Sequence, residues 1–129
     1  MSFDWKQLLS LAGHLLDNSG NLPGGEEGIY RTVINRAYYA ALNTAAVYIR
    51  DVVGDDVPDD SKYHPQVKMH FKNDRAKFEL LETLRKKRDK ADYSLESGKF
   101  RDMARAAVEE SRKFIESPEF KNLFADSGK

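Results

Sequence analysis

Apolar residues recur every three to four positions along nearly the whole chain, and no segment alternates apolar and polar residues as a half-buried strand does. This spacing puts the apolar residues of each segment on one side of a helix. It predicts helices over residues 3–17, 26–53, 65–72, 74–93 and 99–116, separated by segments rich in Gly, Pro and Asp. The expected fold class is therefore all-α, an up-and-down bundle of four long helices and one short helix.

The length of 129 residues suits one domain, residues 1–129, with a core that needs no covalent staples. The chain has no cysteine, which excludes disulfides and thiol catalysis. Neither a Gly-rich phosphate loop nor the βαβ units of a nicotinamide or flavin fold is visible, so we expect no cofactor. No apolar run approaches the ~20 residues that span a bilayer, and residues 1–18 resemble a mature helix more than a signal peptide. We expect a cytoplasmic protein that does not associate with membranes.

The second predicted helix is rich in small residues, namely Ala37, Ala40, Ala41, Ala45 and Ala46. Small side chains let neighbouring helices approach closely, so this helix is predicted to be the central one. The apolar face of the fifth helix consists of Phe100, Met103, Ala104, Ala107, Val108, Ser111, Phe114 and Ile115. After Pro118, one further turn is predicted to pack through Phe120, Leu123 and Phe124.

Positive and negative side chains are equal in number, with 21 Lys+Arg and 21 Asp+Glu, which argues against a dedicated duplex-DNA binder. The charges are nevertheless segregated: residues 85–90 read RKKRDK, whereas the acidic loop 54–62 lacks the spacing of a calcium-binding loop and is predicted to be solvated. His14, His64 and His70 do not share a metal-ligand spacing, so no metal site is expected.

Arg88 interrupts the apolar face of the fourth predicted helix. That face is marked by Phe78, Leu81 and Leu84 and continues by helical steps at Ala91 and Leu95. A buried, unpaired guanidinium costs several kcal/mol, so Arg88 must be paired or must line a cleft. Asp92 lies one turn later and can reach it. Two interpretations remain open: a structural Arg88–Asp92 pair, or a groove in which Arg88 binds phosphate and Asp92 orients it.

The second predicted helix carries two polar stripes. One consists of Arg31, Asn35 and Tyr38, and the other of Arg36, Tyr39 and Asn43. The tyrosines could be amphipathic core residues beside surface arginines, or one stripe could meet Arg88 and Asp92 across a cleft.

Two motifs resemble those of the HEPN family, the higher eukaryote and prokaryote nucleotide-binding domain. The segment YRTVINRAYYAALNTA, residues 30–45, is similar to the second helix of small prokaryotic members, with its R-A-Y-Y-A-A pattern. The segment LRKKRDKADY, residues 84–93, resembles their R-x-x-x-D-Y signature. The opening FDWKQLLSLAGHLL, the short segment YHPQVKMHF and the closing FRDMARAAVEESRKFI also fit, so the resemblance covers most of the chain in order.

The resemblance implies a helical bundle, often a homodimer, that binds nucleotide or RNA, acts in toxin–antitoxin or defence systems, or partners a nucleotidyltransferase or antitoxin. Arg88 would anchor phosphate and Asp92 would orient it. The remaining binding residues implied are Tyr93, Arg36, Asn35, Tyr38 and Tyr39.

Many members are ribonucleases that use an R-x(4–6)-H motif, and this chain lacks it. Neither Arg85 nor Arg88 is followed by histidine at that spacing, and Asp92 and Tyr93 stand there instead. We therefore expect a nucleotide- or RNA-phosphate-binding or accessory domain. One alternative is a metal-independent endoribonuclease toxin with a divergent site formed by Arg88, Asp92 and His64. Another is a structural partner of a nucleotidyltransferase.

Overall fold

The structure, a computed structural model, describes residues 3–21, 25–57 and 63–124. Over these residues the regular elements are all helical, which confirms the predicted all-α bundle. The helices are α1 (Lys6–Asp17), α2 (Glu26–Tyr48), α3 (His64–His70), α4 (Arg75–Tyr93) and α5 (Phe100–Ile115). A π-helical turn, Ile49–Val53, extends α2, and single 3₁₀ turns follow α1 at Ser19–Asn21 and α5 at Pro118–Phe120.

Helix α2 is central, as its alanines predict. It packs against α1, α4 and α5, and also contacts α3. Ala37, Ala40, Ala41 and Ala45 have no solvent exposure, so the backbones of the flanking helices approach α2 closely on several sides. The residues of α2 that face α3 and α4 carry the polar groups of the candidate site.

Local chemistry sets the ends of the helices. The carboxylate of Asp74 caps α4 by accepting a hydrogen bond of 3.3 Å from the backbone N–H of Lys77. Gly54 ends the extension of α2 with a φ of 89°, and its N–H donates to the carbonyl of Ile49 over 2.9 Å. Pro65 lies in the first turn of α3, where its missing N–H costs nothing.

Helix α1 differs from its prediction. It begins at Lys6 rather than at residue 3, and Leu11 is 46% exposed, so the buried stripe is narrower than the leucine pattern suggests. Ser2, whose residue type is favoured as an N-cap, lies outside the described residues, as does part of the acidic loop. Leu95 is 99% exposed because α4 ends at Tyr93, before the apolar stripe could continue to that position.

One connected cluster of buried side chains joins all five helices to the C-terminal turn. The predicted face of α5 is buried except for Met103, which is partly buried. Phe120 is 2% exposed, and its ring centroid lies 5.2 Å from that of Phe114 and 6.2 Å from that of Phe71. Among the described helices, none has both the length and the apolarity needed to cross a bilayer.

Candidate functional site

Arg88 lies in the core-facing register of α4, against the tyrosine pair of α2. Its side chain is 15% exposed, and its guanidinium carbon is 5.2 Å from the ring centroid of Tyr38 and 6.0 Å from that of Tyr39. Contacts of this length allow attraction between the cation and the negative faces of the rings. The two adjacent tyrosines therefore hold one guanidinium between them, although they lie about 100° apart around the helix.

Asp89 bridges two arginines of α4. One carboxylate oxygen lies 3.0 Å from Nη2 of Arg88, and the other lies 3.2 Å from Nη1 of Arg85. Asp92 is a more distant partner, with Oδ2 3.6 Å from Nη1 of Arg88. The Arg88–Asp92 pair expected from the sequence is thus present, but the shorter contact of Arg88 is with Asp89. The guanidinium groups of Arg85 and Arg88 converge on one carboxylate.

Glu82 extends this network to α3. Its carboxylate lies 2.6 Å from Nη2 of Arg85 and 2.9 Å from Nζ of Lys68. Hydrogen bonds from Arg85 and Lys68 lower the pKa of Glu82 to about 2, so the carboxylate stays ionised at neutral pH. The network therefore contains three cationic and three anionic side chains in direct succession from Lys68 to Asp92.

Asp92 connects the network to α2. The amide Nδ2 of Asn35 lies 3.4 Å from both carboxylate oxygens of Asp92, and Arg36 donates to Oδ1 of Asn35 over 3.2 Å. Arg36 itself is exposed. Tyr93 is 72% exposed on α4 and makes no described contact with this cluster. Of the binding residues implied by the resemblance, Tyr93 alone is left apart.

Arg31 does not join the stripe that meets Arg88. Its guanidinium instead donates to the carbonyls of Ala91, Ser94 and Glu96 over 3.2, 2.8 and 2.9 Å. It also lies 4.2 Å from the ring centroid of Phe100. The carbonyl of Ala91 belongs to the last turn of α4, and those of Ser94 and Glu96 follow it, where backbone acceptors lack helical partners. The three residues of this polar stripe therefore have different roles. Arg31 stabilises the end of α4, whereas Asn35 and Tyr38 contact the cluster around Arg88.

His64 completes the cluster from the start of α3. Its Nδ1 and the hydroxyl of Tyr38 form a hydrogen bond of 3.0 Å. Burial, and then the positive charge of Arg88, lower the pKa of His64 below its usual value, which favours the neutral imidazole at neutral pH. Burial raises the pKa of Tyr38, so its hydroxyl remains protonated.

A cavity of about 270 Å³ opens between α2, α3 and α4 beside this cluster. It is lined by Tyr38, Leu42, His64, Pro65, Lys68, Leu81 and Arg85. Leu42 and Leu81 provide an apolar floor, whereas Lys68 and Arg85 provide cationic groups at its wall. An apolar cavity with a few converging polar groups is typical of a small-molecule site.

Arg88 retains an unused hydrogen-bond donor. Its Nε is buried and has no partner among the described residues. Arginine donates through a planar fork that matches carboxylate and phosphate oxygens. The cluster is consequently suited to an oxyanion. The residues that the structure describes contain no group of three His, Cys, Asp or Glu side chains that could hold a metal ion.

Sequence reasoning missed four members of the cluster: Arg85, Asp89, Glu82 and Lys68. Asp89 could have been found from its spacing, since it follows Arg88 directly and lies four residues after Arg85. Lys68 could not, because its contact with Glu82 depends on how α3 packs on α4. Comparisons with protein-family models, curated proteins and solved structures found no match for this chain.

Proposed function

We propose that this chain is a HEPN-like domain that binds the phosphate of a nucleotide or of RNA at the Arg85–Arg88 pair. The observation that carries the proposal is the convergence of two guanidinium groups on one carboxylate, Asp89, beside a cavity. Because both guanidinium groups contact the carboxylate of Asp89, they are close enough together to contact one phosphate. A phosphate offers more acceptor oxygens than the carboxylate of Asp89.

The neighbours of the pair support the same ligand class. Lys68 adds a third cation at the cavity wall. Tyr38 remains a neutral hydroxyl because burial raises its pKa, so it adds no negative charge that would repel phosphate. Asp89 and Asp92 oppose anion binding by charge, and their carboxylates also hold the guanidinium groups of Arg85 and Arg88 in position.

The test uses three variants and a short single-stranded RNA labelled for fluorescence anisotropy. Arg88→Met removes charge-assisted hydrogen bonds, each of about 1.5–3 kcal/mol, so affinity should fall about 10–100-fold. Asp89→Asn removes a competing carboxylate, and at about 1 kcal/mol of repulsion affinity should rise about fivefold. Lys86→Met is the matched control, since Lys86 is an exposed cation of the same helix with no described ion pair.

Equal losses in Arg88→Met and Lys86→Met would indicate nonspecific charge attraction and would contradict the proposal. Because Arg88 is largely buried, the folded state of each variant is checked by circular dichroism and urea unfolding. Arg85→Met, a change at a more exposed side chain, provides a second test if Arg88→Met is unstable.

A ribonuclease is the second candidate, favoured by one observation. The hydroxyl of Tyr38 forms a hydrogen bond with Nδ1 of His64, and the ring of Tyr38 faces the guanidinium of Arg88. Tyr38 therefore contacts both an imidazole and a guanidinium. Neutral His64 could accept the proton of a ribose 2′-hydroxyl while Arg88 binds the scissile phosphate. The missing R-x(4–6)-H motif would then be replaced by a histidine from α3.

Incubation with single-stranded RNA in EDTA tests this candidate. A ribonuclease would cleave without metal, lose cleavage in His64→Gln and Arg88→Met, and slow as the pH falls and His64 takes up a proton. Intact RNA together with Arg88-dependent binding would reject the ribonuclease and support the binding domain.

The proposal also includes an accessory role in a toxin–antitoxin or defence pair and a homodimeric state.

A further inference from the structure

A second cavity, of about 230 Å³, is lined by Tyr63, the residue before His64. Its lining includes two aromatic side chains, one amide and an aliphatic wall: Trp5, Tyr63, Asn43, Val47 and Val57. Arg50 also reaches its edge and is paired with Asp51 over 2.7 Å. This volume is below the ~300–1,000 Å³ of sites for drug-sized ligands, which suits one flat ring system.

Asn43 supplies the cavity with one fixed polar group. It is only 9% exposed, and its Oδ1 accepts a hydrogen bond from the hydroxyl of Tyr63. That bond leaves Nδ2 as the free end of the amide, and Nδ2 has no hydrogen-bond partner among the described residues. The cavity therefore offers a hydrogen-bond donor between two aromatic side chains.

The two cavities are neighbours along the chain and in space. Tyr63 lines the second cavity and His64 lines the first, and the centroids of their rings are 5.1 Å apart. His64 also packs against Tyr39, at 5.7 Å between centroids. A ligand with an anionic end and a flat heteroaromatic end could thus occupy both cavities around one pair of rings.

We propose that the Trp5–Asn43–Tyr63 cavity binds the base of the nucleotide whose phosphate is held at Arg85 and Arg88; the assignment rests on the proposed function. Unstacked bases bind proteins by stacking on aromatic rings and by hydrogen bonds at their edges. Trp5 and Tyr63 provide the stacking surfaces, and Nδ2 of Asn43 donates to an acceptor of the base. A base held in this way cannot be paired, so the ligand is a mononucleotide or single-stranded RNA and not a duplex.

Trp5 makes this proposal directly measurable, because it is the only tryptophan of the chain. AMP, UMP and ribose 5-phosphate, which has no base, are titrated into the full-length protein. Tryptophan emission reports the second cavity, and isothermal titration calorimetry reports all binding. We expect AMP and UMP to change the emission, and ribose 5-phosphate to bind at least about tenfold more weakly without changing it.

Variants separate the base from the phosphate. Asn43→Leu keeps the shape but removes the donor, and should weaken AMP and UMP about tenfold while leaving ribose 5-phosphate unchanged. Thr44→Val is the matched control, since Thr44 is the next residue, is 1% exposed and does not line the cavity. Trp5→Leu, followed by calorimetry, removes a stacking surface without touching the core of α2, and should also weaken AMP about tenfold.

The failures of the two proposals are distinguishable. Equal affinity for AMP and ribose 5-phosphate, lost in Arg88→Met, would overturn the base cavity and leave phosphate binding intact. Nucleotide binding that is unaffected by both Asn43→Leu and Trp5→Leu would also overturn the base cavity. No binding of any of the three ligands, nor of single-stranded RNA, would overturn the phosphate site itself and the base cavity with it.

Discussion

Arg31 and Arg88 show how far single residues can be interpreted without a structure. Each is an arginine within a largely buried helical segment, and both belong to the HEPN-like motif segments. Arg31 binds backbone carbonyls at the C-terminal end of α4 and just after it, whereas Arg88 faces two tyrosines and two carboxylates. The helical register of Arg88 predicts that it faces inward. Spacing identifies only one partner of Arg31, Glu27, which lies four residues earlier. No pattern identifies its carbonyl acceptors, because they lie about 60 residues away along the chain.

Arg31→Met should lower the free energy of unfolding by about 2 kcal/mol, since three carbonyls lose a charged donor and only that of Glu96 is in an exposed hydrogen bond. The urea midpoint at neutral pH measures this loss. Arg101→Met is the control, because Arg101 is exposed and forms no described ion pair, and its effect should stay within about 0.5 kcal/mol. An Arg31 variant as stable as that control would show that these hydrogen bonds contribute nothing net.

At the scale of elements, helix α4 illustrates both success and failure. Its start follows from Asp74, a good capping residue placed before an apolar stripe. Its end was expected at Tyr93 and lies there. The prediction that Leu95 continues the apolar face was wrong, because Leu95 is exposed. The periodicity of apolar residues predicts that a helix is present, but it does not determine at which residue the buried face of that helix ends.

Asp74 also ties the start of α4 to the C-terminal turn. Its carboxylate lies 2.6 Å from Nζ of Lys77, which in turn lies 2.8 Å from Glu119 after α5. Asp74→Ala removes the cap and one partner of this nearly buried lysine, so we expect a loss of about 1–2 kcal/mol in the free energy of unfolding.

The control for this change is Asn73→Ala, one residue earlier and exposed, which should be nearly neutral. The pH dependence provides a second check. The hydrogen bond from Lys77 lowers the pKa of Asp74, so its stabilisation is complete above the pKa of an unfolded aspartate and is lost as the pH falls through the lower folded value. In Asp74→Asn, the free energy of unfolding should therefore fall less steeply as the pH is lowered. An unchanged pH dependence would contradict the stabilising role of the ionised Asp74.

At the scale of the whole molecule, the balanced charge limits how the proposed RNA ligand could bind. The cations of the candidate site alternate with carboxylates along α4, so few phosphates can be neutralised at once. We expect one to three phosphate contacts, and therefore a slope of log affinity against log salt between roughly −0.7 and −2 for single-stranded RNA. Anisotropy titrations from low to moderate KCl measure it. A slope steeper than about −4 would mean that RNA binds to a basic surface elsewhere on the protein, and would contradict the assignment of the site to Arg88.

The amino-acid sequence by itself determined the helices, the central position of α2 and the inward register of Arg88, because these follow from periodicity, small residues and turn chemistry within short stretches. Only the tertiary structure decided which groups meet. The contacts of Lys68 with Glu82, of His64 with Tyr38 and of Asn43 with Tyr63 each depend on distances between packed helices. Such contacts are set by how the core packs around α2, and local sequence spacing carries no information on that packing.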